Sequence, residues 1–387
     1  MLSANGYRSG LLTDTGKVYL WGRSAQLTNG EKEDFEPPFY ILSPTLVPHI
    51  RFSNNDIIKK SSDESEEKII SLCVGLYHTG VVTDMGHLYM WGHNKFGQLG
   101  DLTKLHRLVP TLISPNVFGG KKVFTASIGS YHSGILTDDG DLYMWGYNMG
   151  GGVGVGYIYS IEPIPVLISQ KLFGGERIVA LYLNNFMSSA ITETGKLYLW
   201  GKLPKLIHPD NFGGEKVLMF RNSSEHYGVI TEIGHVYMWG DNSYGGLGVG
   251  ENFEYGENKL KYSPGSTVPI LLPQSYFDNE KVIALDLKWE NSAAITESGK
   301  LYMWGRNEYG EFGLGDNKIH HIPTLISPSI FGNTKVVEVS LGWHHTLVRT
   351  SDNKIYASGY NKYGQLGLGD TINRNTFELV ADLEILR

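Results

Sequence analysis

Four histidines stand at one position of a recurring string. Five residues ahead of the threonine in "YHTGVVTDMG", "YHSGILTDDG", "EHYGVITEIG" and "HHTLVRTSDN" come His78, His132, His226 and His345. A set of imidazoles is what a zinc or copper site would use. Each one, however, lies in a separate copy, and no carboxylate or cysteine accompanies it at ligand spacing. A structural histidine, hydrogen-bonded to neighbouring backbone, is therefore the expectation. The adjacent pairs His320-His321 and His344-His345 point different ways on a strand and do not chelate one ion easily. The stretch "YNMGGGVGVGYIYS" contains Gly-x-Gly spacings but has no amphipathic helix behind it, so it implies neither dinucleotide nor phosphate binding. No Ser/His/Asp set, paired-carboxylate motif or cysteine nucleophile signature emerges. The residues point to a protein that is not an enzyme and needs no cofactor and no metal.

The elements that carry these residues are repeated. Aligning the chain on an aromatic-Gly pair gives Trp21-Gly22, Trp91-Gly92, Trp145-Gly146, Trp200-Gly201, Trp239-Gly240, Trp304-Gly305 and a degenerate Ser358-Gly359. The basic period is about 54 residues. Ahead of each pair two short apolar strands flank a Thr-acid-x-Gly turn. Its glycine, at 16, 86, 140, 195, 234 and 299, sits where a tight hairpin needs positive φ. The seventh copy has Asn353 there, the residue that best tolerates that region after glycine. Behind each pair follow a Gly-rich loop, a Pro-marked apolar run and a further strand. Four short antiparallel strands, seven times over, predict an all-β seven-bladed propeller forming one domain over residues 1–387. Two insertions interrupt it, at 51–68 and 251–267. The first copy starts just before its hairpin, whereas the last runs on into "TFELVADLEILR". The reading therefore closes the ring by pairing the C-terminal "LEILR" beside residues 1–5.

Composition agrees with a strand-and-turn protein. The chain has 387 residues, with 48 glycines, 23 tyrosines and only 19% charged residues. A net charge of −7 argues against a general nucleic-acid surface. One cysteine, Cys73, excludes an intramolecular disulfide framework. No secretory signal and no apolar run long enough to span a membrane is visible, so a cytoplasmic or nuclear, monomeric protein away from membranes is expected.

The string T-D/E-x-G-x-L/V-Y-x-W-G-x-N-x-x-G-Q-L-G, preceded by G-x-x-H-T/S, resembles the repeat of the regulator of chromosome condensation family. The resemblance covers essentially the whole chain, and seven units is that family's usual number. It implies a ring of seven four-stranded blades. Within it Trp21, Trp91, Trp145, Trp200, Trp239 and Trp304 are expected to pack between blades. The family's founding member exchanges guanine nucleotide on the small GTPase Ran, and other members occur in ubiquitin ligases. The resemblance therefore implies a protein partner, with exchange on a Ran-like GTPase and a ubiquitin-ligase accessory role as the alternatives to a plain interaction scaffold. A light-sensing branch carries Trp in three consecutive Gly-Trp-Arg-His-Thr motifs. Here "KWENS" and "GWHHT" replace two of them and Ser224 stands in the third, so light sensing is not expected.

If the constant positions build the scaffold, specificity lies where the copies diverge. One residue before the histidine column stand Tyr7, Tyr77, Tyr131, Phe186, Glu225, Glu290 and His344, and one earlier still come Trp289 and Trp343. All fall at the turn between two strands and should gather at one end of the ring. Aromatics with a few charges on a rim suit a protein-binding patch.

Overall fold

A computed structural model describes residues 1–23, 40–47, 67–223, 225–260 and 264–382. Seven antiparallel sheets of four strands form a ring, each sheet running in sequence order from its inner to its outer strand. The inner strands are Leu2–Asn5, Ile69–Val74, Val123–Ile128, Ile178–Leu183, Val217–Asn222, Val282–Lys288 and Val336–Leu341. The second and third strands of each blade form the expected hairpin. Its threonine fixes the turn twice over: in blade 2, Thr83 Oγ1 accepts the His87 N–H at 3.1 Å while the Thr83 carbonyl accepts the Gly86 N–H at 2.9 Å. That geometry requires the left-handed region, and Gly86 has φ 82° while Asn353 adopts 62° in the seventh copy. The fourth copy, which lacks the Gly-rich loop, still builds four strands, although its outer one shrinks to Lys205–Ile207.

Blade 1 has an inner strand of its own at the N-terminus. Leu2–Asn5 is itself the inner strand of blade 1, paired only with Arg8–Leu12 across a two-residue Gly6-Tyr7 turn. The C-terminal strand Arg374–Asp382 is the outer strand of blade 7, paired with Lys354–Gly359. The residues 383–387 expected to pair with the N-terminus lie outside the described residues, as do 51–66 of the first insertion. Among the described residues, blades 7 and 1 meet through packing and hydrogen bonds. Leu2 N–H donates to Glu338 Oε1 at 2.8 Å, Ala4 N–H to Ser340 Oγ at 2.9 Å and Trp343 N–H to the Gly6 carbonyl at 3.0 Å. The N-terminal strand forms because "SANGYR" supplies its own turn. Gly6 takes φ 57° at the first central position, which lets Leu2–Asn5 pair with Arg8–Leu12 as the inner strand of blade 1.

Each histidine of the repeated column crosses to the next blade. His78, His132, His226 and His345 place Nε2 at 2.8, 3.0, 2.9 and 2.9 Å from the hydroxyls of Ser133, Ser188, Ser292 and Ser9. The partner at Nε2 is thus a serine, not the backbone group expected from sequence. Each serine in turn donates to a carbonyl in the Gly-rich loop of the blade before it: Gln98, Gly152, Gly246 and Gln365. The serine proton being committed, Nε2 carries the hydrogen, and burial, which lowers the pKa of all four rings, favours the neutral imidazole. The same four carbonyls accept the indole N–H of Trp145, Trp200, Trp304 and Trp21 at 2.8 to 2.9 Å. The loop that presents them is wrapped around an asparagine. Asn94, Asn148, Asn242, Asn307 and Asn361 each accept at Oδ1 a backbone N–H five residues on, at 2.9 Å. The repeated W-G-x-N…G string is therefore the device that joins one blade to the next.

Candidate protein-interaction rim

The nine divergent residues lie at the turns between inner and second strands, all at one end of the ring. They do not form one patch. Where blades 6, 7 and 1 meet, Tyr7 packs edge-on against Trp343 with ring centroids 5.1 Å apart, and Trp343 lies 5.6 Å from Trp289. His344 sits 6.0 Å from Trp289 and 6.5 Å from Tyr7. A second cluster covers blades 2 and 3, where Tyr77 stacks on Tyr131 at 4.9 Å. Phe186 of blade 4 and Glu225 of blade 5 are exposed. Glu290 is drawn out of the row by Arg306, whose Nη1 donates to it at 2.8 Å while the guanidinium lies over Tyr244.

Sequence reasoning passed over three rings of the first cluster and two of the second. Tyr309, Tyr360 and Tyr363 complete the first, with centroids 5.0 Å from His344 for Tyr309 and 5.8 and 4.7 Å from Tyr7 for the other two. Phe96 and Tyr147 complete the second, stacked at 4.7 Å with Phe96 5.4 Å from Tyr131. Phe96, Tyr309 and Tyr363 occupy the aromatic position of "NKFG", "NEYG" and "NKYG", inside the Gly-rich loop. The signal was present, but within a string whose other members are scaffold.

The first cluster is strained and polar underneath. Trp289 adopts φ 54°, a region that costs a bulky side chain about 1–2 kcal/mol, and its indole Nε1 is buried without a hydrogen-bond partner. Beneath His344 lies Glu311, fully buried, with Oε2 accepting the Tyr309 N–H at 2.9 Å and Oε1 3.5 Å from His344 Nδ1. Burial pushes the Tyr7 hydroxyl up, with the neighbouring tyrosines adding to it. In the second cluster burial lowers His93 to about 4, with His106 stacked on it at 4.6 Å. Among the described residues no group of three or more His, Cys, Asp or Glu could hold a metal ion. No helix among them is long and apolar enough to cross a membrane. Within the second insertion, Tyr255 is anchored by Asn242, whose Nδ2 donates to its hydroxyl at 2.5 Å, and it packs 5.2 Å from Phe253.

Comparison with known proteins agrees with this architecture. The description "Regulator of chromosome condensation (RCC1) repeat" matches residues 85–136 and 298–349 in one form, and 69–98, 126–149, 282–311 and 336–365 in another. The Ultraviolet-B receptor UVR8 of Arabidopsis thaliana is 27% identical over 394 residues, spanning 100% of this chain and 82% of the relative. The mitochondrial RCC1 domain-containing protein RUG3 of the same plant is 28% identical over 377 residues, spanning 96% of this chain and 73% of its own length. Among solved structures, Prp20p of Saccharomyces cerevisiae shares the fold with a TM-score of 0.75 at 20% identity, covering 97% of this chain and 88% of that one. Residues 69–149 and 282–365 thus carry the regulator of chromosome condensation (RCC1) repeat, within a ring of seven four-stranded blades joined through a repeated Trp-Gly-x-Asn loop.

Proposed function

We propose that this propeller is a non-enzymatic scaffold that docks another protein on the rim where blades 6, 7 and 1 meet. The observation that carries the reading is the contiguous, partly exposed set Tyr7, Trp289, Trp343, His344 and Tyr360, with Trp289 held at positive φ. Large aromatics on a rigid frame supply binding area at small entropic cost and dominate interface energetics. The strain at Trp289 costs stability and is retained where the presented side chain is used. Replacing both Trp289 and Trp343 by alanine is expected to abolish capture of the protein partner that the intact chain retains, while circular dichroism and the melting point stay close to those of the parent. Unfolding of the double variant would assign the pair to packing instead.

A second reading is nucleotide exchange on a Ran-like GTPase. It is favoured by the shared fold with Prp20p, whose reported structure names binding to Gsp1p and histones. Release of labelled GDP from a panel of small GTPases separates the two. Stimulation by substoichiometric protein would replace the scaffold reading with exchange.

A further inference from the structure

The other end of the ring carries a second, more regular surface. In blades 2 to 7 the pairing of inner and second strand slips by one residue near the start of the inner strand. The residue skipped is Ile70, Phe124, Val179, Leu218, Ile283 or Val337. A bulge leaves its extra residue out of the ladder and re-aims its side chain. Here the re-aimed side chain is large and apolar in all six blades, and between 43% and 61% of it is exposed. Nothing in bulge geometry asks for that. A threonine, serine or lysine would meet the backbone requirement equally well and would sit better in water. The six side chains recur near the start of six successive inner strands, at the opposite end from the aromatic rim, and Val337 lines the central cavity with Leu2, Ser3 and Leu285.

Charge around this ring is periodic and balanced. Two residues before each bulge stands an exposed cation: Lys68, Lys122, Arg177, Lys216, Lys281 and Lys335. Beside it, at the end of the second strand, stands an exposed acid in blades 2 to 6, from Asp84 round to Glu297; Asp14 holds the same place in blade 1, and Ser351 faces Lys335 in blade 7. Backbone bonds hold each such pair side by side, as in Asp84 N–H to the Lys68 carbonyl at 2.9 Å and Glu232 N–H to the Lys216 carbonyl at 2.9 Å. Equal numbers of each sign rule out a surface built for a polyanion such as nucleic acid. Alternating signs around an apolar centre are self-complementary: a second copy turned over by a two-fold axis sets cations of one ring over acids of the other.

We propose that this face is the interface of a homodimer, with two propellers meeting channel mouth to channel mouth. The six apolar side chains expose roughly 500 Å² on each copy, against the ~800 Å² per partner of a standard interface, and the charged ring around them supplies the remainder. An occupant that used one sector would not call for an apolar bulge on six successive blades. A partner centred on the ring axis does, and the second copy also matches the charge alternation. The proposal is independent of the aromatic rim, which this arrangement leaves open on both outer ends.

Sedimentation velocity of the full chain, from nanomolar to high micromolar, tests the idea. The parent should pass from monomer to dimer, with the transition weakening in high salt. Phe124→Asp with Leu218→Asp should raise the dissociation constant at least roughly tenfold at unchanged circular dichroism, since both side chains lie outside the strand ladder. As a readout that does not depend on that variant folding, Leu218→Cys should cross-link to a second copy with a bismaleimide. The parent, whose one thiol at Cys73 is engaged with the Ala126 carbonyl at 3.0 Å, should not. A protein that stays monomeric at every concentration overturns the proposal. So does a dimer that survives Phe124→Asp with Leu218→Asp but is dissolved by Trp343→Ala. Flotation of monomer with phosphatidylcholine–phosphatidylserine vesicles, lost in Phe124→Asp with Leu218→Asp, would give the ring to a lipid surface and overturn it as well.

Discussion

Compare the seam between blades 3 and 4 with the one between blades 6 and 7. At the first, His132 meets Ser188, Ser188 donates to the Gly152 carbonyl at 2.8 Å, and Trp200 donates to the same carbonyl at 2.9 Å. The chain of bonds from imidazole to hydroxyl to carbonyl to indole is unbroken. At the second, Asn291 replaces the histidine, Thr346 the serine and Ser358 the tryptophan. Ser358 still reaches the Glu311 carbonyl at 2.7 Å, but Asn291 Oδ1 and Thr346 Oγ1 are both buried with no partner. The seam between blades 4 and 5 departs in another way, because blade 4 has no Gly-rich loop. Met187 takes the histidine's place, Tyr227 the serine's, and Tyr227 donates to the Met187 sulfur at 3.3 Å and stacks on Trp239 at 5.4 Å. Between blades 1 and 2 Arg8 takes the histidine's place and donates to Thr79 Oγ1 at 2.8 Å, so the ring tolerates four solutions to one problem, provided the volume is filled. What it does not keep everywhere is the hydrogen-bonded chain. The incomplete seam lies directly beneath Trp289, Trp343 and His344, the residues of the candidate rim.

The sharpest way to break this comparison is to empty matched positions at two seams. Trp145 is fully buried, packs against Phe118 at 5.9 Å and donates to Gln98. Trp145→Ala is expected to cost about 3–5 kcal/mol, from the cavity plus the lost bond. Trp239 packs on Phe212, Phe220 and Tyr227. Trp239→Ala should cost less, by about 1 kcal/mol, if the bond to the neighbouring loop is what distinguishes the two seams. Urea denaturation of both variants measures the difference. Equal losses would show that packing alone seals the ring.

Acid should attack the histidine seams first. Burial holds His132 and His226 down to about 4 and His345 to about 3, and lowers His78 well below 6.5 with Arg8 adding to it. In each the folded value lies below the unfolded one near 6.5, so the unfolded chain binds the extra protons. The stability from neutral burial is therefore fully present above pH 6.5 and drains away as pH falls toward 4 and 3. Each such histidine adds up to about 1.4 kcal/mol per pH unit to the slope. Denaturation midpoints between pH 7 and pH 5 should fall steeply. His132→Gln should flatten that slope by about one proton's worth even though it lowers stability at pH 7. A slope unchanged in His132→Gln would mean that the imidazole titrates normally in the folded ring.

The blades were legible because each repeated residue answers a local demand. A turn needs positive φ, and glycine or Asn353 supplies it; a loop needs an internal acceptor, and an asparagine at the fourth position supplies it. Two features were not legible for the opposite reason. The histidine's partner sits in the next blade, 55 residues on for His78 and Ser133, and nothing in one repeat indicates which column faces which across a seam. The N-terminal strand is only four residues long, and its pairing depends on Gly6 opening a two-residue turn that blade 6 also builds, with Trp289 at φ 54° in the glycine's place. The candidate rim was half legible. The columns before the hairpin contained Tyr7, Trp289 and Trp343, but Tyr309 and Tyr363 reach the same place from the opposite loop. Only the closed ring brings those two loops together.

The smallest effect tests the incomplete seam by repairing it. Asn291 Oδ1 and Thr346 Oγ1 make no bond to each other, and a histidine at 291 would restore the crossing bond, with Thr346 in the serine's role. Room for the ring is the difficulty. Three residues before the histidine, blades 2, 3 and 7 have Gly75, Gly129 and Gly342, and a Cβ on Gly342 would lie 1.9 Å from the His345 ring. Blade 6 has Lys288 there, so Asn291→His alone should gain little. Blade 5 offers the remedy: Ser223 fits beside His226 because its hydroxyl bonds Nδ1 at 2.7 Å. Lys288→Ser combined with Asn291→His copies that arrangement and should stabilise the protein by about 1 kcal/mol, the worth of one net hydrogen bond with two orphaned groups relieved. The gain should appear as a rise of a degree or two in the melting point and as a steeper loss of stability below pH 6.5, one proton more than in the parent. A gain at pH 7 without that steepening would mean that removing Lys288 from the channel, and not the rebuilt seam, was responsible.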